Sequence, residues 1–146
     1  MTVQTINKSY PTSNITLDAA RMLIAESITA ANEIGIKVTV AITDAAGQLT
    51  AFERVDGAPL LAIDIAIDKA YTASGFGLGT HVWNEILKND VVSQLAHRPR
   101  LVSVGGGCVI VDGGKVIGGI GISGGTAIQD QQAAEKALRV LGYEVV

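Results

Sequence analysis

The sequence is poor in cysteine, proline, aromatic residues and charge, and each shortage excludes something. The single cysteine, Cys108, rules out an intrachain disulfide and fits a reducing compartment. One tryptophan, three tyrosines and two phenylalanines leave no material for a core of large stacked rings. Only two histidines are present, and no HExxH or paired Cys/His spacing exists, so no structural zinc site and no other metal site is expected. Charged residues make up 17% and sum to −3, with no long run of one sign, which argues against nucleic acid as a partner. No stretch approaches ~18 uninterrupted apolar residues, so no membrane span is expected. The opening "MTVQTINKSYPTSN" is polar and lacks the apolar centre of a signal peptide. The expected address is the cytoplasm.

What is present is small and apolar. Hydrophobic residues make up 48% and glycine occurs 17 times. A chain of 146 residues suits one domain over 1–146, with 1–14 as a loose N-terminal arm. Leu17, Ala20, Ile24, Ile28 and Ala31 recur at helical spacing, predicting a helix from Leu17 to Ile34. Thr16 or Asn14 could cap it, and Gly35 stops it. From Lys37 the period becomes two, and "DAAG" at 44–47 turns the chain into a second strand, Gln48 to Val55. Leu60 to Ser74 reads as a very apolar helix and Thr80 to Lys88 as a second, shorter one. Asn89 to Arg100 reads as loop with a short helical turn. Leu101 to Val104 is a short apolar run, a candidate third strand. Cys108–Val111 and Lys115–Ile122 flank "DGG", a second hairpin. Thr126 and Gln129 form a capping box for a last helix whose buried face is Ile128, Ala134, Ala137, Leu138 and Leu141. The order predicts an α+β fold, sandwich-like, with helices packed on an antiparallel sheet of about five strands.

"GGIGISGGT", Gly118 to Thr126, contains a G-x-G-x-x-G string. A dinucleotide fingerprint needs a second parallel strand after the helix, and too little chain follows for one. The string also closes a hairpin instead of opening a parallel crossover. Alternation along the strand places Gly119 and Gly121 on one face. Such a bare patch marks close approach of another backbone or of a ligand. Gly105 to Gly107 offer a second bare stretch nearby.

Several side chains carry chemistry. Cys108 could ligate a metal or haem iron, or serve as a small buried residue. His81 stands at a helix start and His97 in "AHRPR", where Arg98 and Arg100 could receive a carboxylate or propionate. Lys69 in an apolar helix needs a carboxylate partner, and Asp44, Asp56 or Asp64 could supply it. Lys69 with Asp44 or Asp56, and Arg54 as a carboxylate clamp, is the candidate catalytic set; a structural ion pair is the competing reading. Ser123 and Thr126 could donate to an anion, and Thr126 caps its helix.

With these pieces assembled, the chain resembles the GlcG/HbpS family, also called the haem-degrading or PduO C-terminal-like domain family. The resemblance runs through "ITLDAARMLIAESITAANEIGIKVTVAITDAAGQLTAFERVDGAP", "AIDKAYTA", Gly79-Thr80 and "GGGCVIVDGGKVIGGIGISGGTAIQD". It implies a profilin-like domain and a homo-oligomer, with dimers assembling to an octamer. It also implies haem binding in some members and a place in catabolic operons. In the diol-linked branch a thiol near Cys108 is associated with haem ligation, with a histidine near the start of the first helix as its partner. Leu17 to Ile34 holds no histidine, which leaves Cys108 with His81, or Cys108 alone.

Three readings follow. The first is a binding protein for haem or another flat tetrapyrrole or small molecule. Its candidate contacts are Cys108, His81, Gly106, Gly107, Gly119, Gly121 and Ser123. The second is a cofactor-independent enzyme acting on a small organic acid or aldehyde of a catabolic operon. The third is an oligomeric scaffold whose glycine face packs subunits.

Overall fold

The structure, a computed structural model, describes residues 3–146. Helix α1, Leu17–Ile34, starts at Thr16, whose hydroxyl accepts from Ala19 N at 3.1 Å, and ends on Gly35 at φ 86°. Strands β1, Thr39–Asp44, and β2, Leu49–Arg54, form the first hairpin. Helix α2, Ala62–Phe76, and the short α3, Thr80–Ile86, follow. A 3-10 turn at Ser93–His97 lies in the expected loop. Strands β3, Gly107–Asp112, and β4, Lys115–Ser123, form the second hairpin. The Thr126–Gln129 capping box opens α4, Ala127–Val140.

Among the described residues the sheet has four strands in the order β2-β1-β4-β3, all antiparallel. The α+β class is as expected; the strand count is four instead of about five. The missing strand is Leu101 to Val104, and its backbone bonds explain why. Thr72 Oγ1 donates to Arg100 O at 2.9 Å and accepts from Val102 N at 3.1 Å. This stretch is tied to the side of α2 and joins no ladder.

Helices cover both faces of the sheet. On one face α1 and α4 bury Leu23, Ile24, Ala134, Ala137 and Leu138 against Val38, Val40, Ile42, Ile110, Ile120 and Ile122. On the other, α2 presents Ala66, Ala70 and Ala73 to Ala41, Val109 and Val111. Two expected core residues lie outside: Leu17 is 44% exposed and Ile128 72%. Each sits in the first turn of its helix, Leu17 beside strand β2 and Ile128 on a surface groove.

Candidate ligand-binding site

The bare strand face is filled by α2. A β-carbon on Gly121 would land on Ala66 O and lie 2.7 Å from Ala70 N; one on Gly119 would land on Ala70 O. The two glycines therefore admit helix backbone, and a flat ligand has no room there. The same applies to two further candidates. A β-carbon on Gly106, at φ 122°, would meet Ile122 O at 2.5 Å and Lys69 Nζ at 2.6 Å; one on Gly107 would meet Thr80 Cγ2 at 2.6 Å. Ser123 is buried at the end of β4, paired with Thr39. The four glycines are placed as packing elements, because backbone from α2 and β4 and side chains of α2, α3 and α4 already occupy their surroundings.

The four candidate catalytic residues are not brought together. Arg54 is paired with Thr39, at the opposite end of β1 from Asp44. Asp44 Oδ1 accepts from Ala46 N at 2.9 Å and Gln48 N at 3.0 Å, so it holds the hairpin turn. Arg54 Nη2 donates to Ala58 O at 2.6 Å. Asp56 is an exposed turn residue. Lys69 takes a partner absent from that set: its Nζ donates to Asp130 Oδ2 at 3.2 Å and to Ile122 O at 2.8 Å. Burial pushes Lys69 down from its ordinary pKa and Asp130 up, each opposed by the charge of the other. Asp130 Oδ1 also accepts from Gly125 N at 2.9 Å. The pair ties α2, β4 and α4 together and is structural.

One groove gathers the remaining chemistry. It encloses about 510 Å³ between α3, the Val104–Gly105 segment and the start of α4, within the range of small-molecule and cofactor sites. His81, Val104, Gly105, Ile128 and Gln131 line it. Helix α3 is docked by Thr80, whose hydroxyl accepts from Gly107 N at 2.8 Å. His81, the next residue, therefore stands at the rim, its ring lying where a β-carbon on Gly79 would fall. The exposed Ile128 and Val104 supply apolar wall.

Cys108 lies one side chain behind this wall. Gln131 is the intermediary: its Oε1 accepts from Gly106 N at 2.9 Å, and its Nε2 donates to Cys108 Sγ at 3.3 Å and Glu135 Oε1 at 2.8 Å. Burial, then the Glu135 charge, push the thiol up to about 12, so it is protonated at neutral pH. Sequence reasoning did not find Gln131. Its one signal is a polar residue one position after Asp130, on the side of α4 that meets the Gly105–Gly107 turn. The donor set suits a tetrapyrrole held from one side by an imidazole. The thiol is within reach only if Gln131 gives way.

The haem degrading protein HbpS-like family model matches residues 15–139. A Citrobacter freundii protein of 15.0 kDa, from the dhaT-dhaS intergenic region, is 37% identical over 91% of this chain and 96% of its own. The crystal structure of Klebsiella pneumoniae protein ORFY superposes with a TM-score of 0.86 at 33% identity, covering 93% of this chain and 96% of its own. A PduOC:heme complex superposes at 0.82 with 28% identity, covering 90% and 98%. The described residues contain no helix long and apolar enough to cross a membrane. By its match over nearly the whole length, this chain belongs to the HbpS-like family.

Proposed function

We propose that the chain is an accessory protein of a catabolic pathway that binds haem, or a related flat tetrapyrrole, in the groove between α3 and α4. The observation that carries this reading is the placement of His81 at the rim of a groove walled by Val104 and Ile128. The haem complex of a structural relative supports it. Haem iron would supply ligand-binding or one-electron chemistry. The protein's part is to present the His81 imidazole, cover one face with Val104 and Ile128, and keep the Cys108 thiol protonated behind Gln131. Self-association belongs to the same reading. Leu60 and Leu61, 73% and 75% exposed before α2, are an apolar surface suited to a second copy, as in the expected octamer built from dimers.

The test is an absorbance titration with ferric haem. The reading predicts saturation at one haem per chain, with a Soret shift that His81→Ala abolishes and Cys108→Ala retains. A shift abolished only by Cys108→Ala would place the iron against β3 and overturn the groove. The catalytic set of the enzyme reading is not assembled, since Lys69 is paired with Asp130 and Asp44 holds the hairpin turn.

A further inference from the structure

A second cavity, separate from the groove, lies where the Arg98–Leu101 segment crosses the end of α2. It holds about 200 Å³, below the size of drug-sized ligand sites and suited only to a small molecule, and Tyr71, Gly75, Phe76, Arg98, Pro99 and Leu101 line it. Its walls are held in place. Phe76 packs edge-on against the buried Trp83 at 4.8 Å between centroids. The Arg100 guanidinium sits 3.6 Å above the Tyr71 ring while its Nε donates to Asp68 at 2.9 Å. The crossing segment is fixed by the Thr72 hydroxyl, which bonds the backbone on both sides of Leu101.

Three features point to a ligand. Arg100 has φ 69°, the one non-glycine residue with positive φ among those described. A non-glycine residue in that region is strained, and such strain clusters where function holds it. Arg98, two residues earlier, is exposed on the cavity's lining and makes no ion pair or side-chain hydrogen bond among the described residues, so its guanidinium is free to turn to a ligand. Gly75 is a glycine without a structural cause. It lies in the last turn of α2, its φ is not positive, and Gly77 at 69° already provides the left-handed cap. A β-carbon on Gly75 would meet nothing within 4 Å. Glycine in a helix destabilises relative to alanine. Gly75 is exposed and lines the cavity, so the cavity's rim carries no side chain there.

We infer that this cavity binds a small carboxylate with an apolar or aromatic body, Arg98 pairing with the carboxylate while Tyr71, Phe76, Pro99 and Leu101 enclose the rest. Arg is suited to the first task through paired N–H donors, and concave apolar walls with one placed charge suit the second. Asp68 does not compete, since Arg100 neutralises it.

The probe is 4-fluorobenzoate, followed by fluorine NMR and by the amide resonances of Gly75 and Leu101. Saturable binding is expected, with those two amides shifting. Arg98→Gln should weaken it about tenfold, as should replacing the probe by neutral 4-fluorobenzyl alcohol. Gly75→Leu should abolish it by filling the space. If that variant does not fold, Gly75→Ala, which should raise Tm and weaken binding, takes its place. No saturation by the unaltered protein up to about 10 mM would overturn the inference. So would equal binding of the alcohol, or unchanged binding by both the Arg98 and Gly75 variants. A Gly75→Leu chain that loses its oligomeric mass, with no probe bound to the parent, would assign the space to a second copy instead.

Discussion

The ammonium of Lys69 lies 3.2 Å from Oδ2 of Asp130, and both side chains are almost wholly out of water. One sits on α2 beneath the sheet and the other on α4 above it, so the contact passes the end of β4, where Lys69 also donates to Ile122 O. It joins the two helical layers at one point. Removing either partner strands a buried charge.

Lys69→Met is therefore expected to destabilise the fold by about 3–5 kcal/mol, and Asp130→Leu by a similar amount. The double variant should recover most of that loss, because no unpaired charge remains. Equilibrium unfolding in urea measures all three. Additive losses in the double variant would contradict the pairing.

Gly121→Ala is expected to destabilise by more than about 3 kcal/mol, since the added carbon falls on Ala66 O, a backbone atom that cannot turn aside. Gly75→Ala, in the last turn of α2, falls in open space and should raise Tm. Thermal unfolding of the two variants side by side checks the assignment of the glycine face to helix packing.

The fate of that glycine face shows how far sequence reasoning reaches. Alternation in β4 marks Gly119 and Gly121 as a site of close approach, and something does approach. Which body it is depends on α2, a helix some fifty residues away whose alanine spacing alone does not say what it faces. The hairpins, the Thr126–Gln129 box and the Gly35 stop are legible because each is decided within a few residues. Lys69 is legible as a lysine that needs a carboxylate, whereas its choice of Asp130 over Asp44, Asp56 or Asp64 is set by how α2 and α4 meet across the sheet. Gln131 is harder still: on the polar side of an amphipathic helix it reads as solvated, until the Gly105–Gly107 turn closes over it. Ile128 fails in the opposite sense, since periodicity puts it on the buried face of α4 whereas it lines an open groove.

Cys108 should behave as a protected thiol. Burial raises it from 9.0 to about 12, so the folded state keeps a proton that the unfolded state releases. Its contribution to stability is then present below pH 9.0 and is lost as pH rises toward about 12. The difference in Tm between the parent and Cys108→Ala should shrink across that window. Labelling by a thiol reagent at neutral pH should be slow, and Gln131→Ala, which uncovers the sulfur, should speed it. Fast labelling of the parent would contradict the placement.

Ile128→Asp should weaken haem binding about tenfold or more, by placing a charge on an apolar wall, while leaving the fold intact because the side chain is already 72% exposed. Haem titration alongside urea unfolding separates the two effects.

The most direct measurement is the position of bound haem, read from paramagnetic broadening of backbone amides in the ferric complex. Binding in the α3–α4 groove predicts that signals of His81, Val104, Gly105 and Ile128 broaden first, and that His81→Ala removes the effect. Broadening centred on α1 or the first hairpin, with these four signals unchanged, would contradict the account.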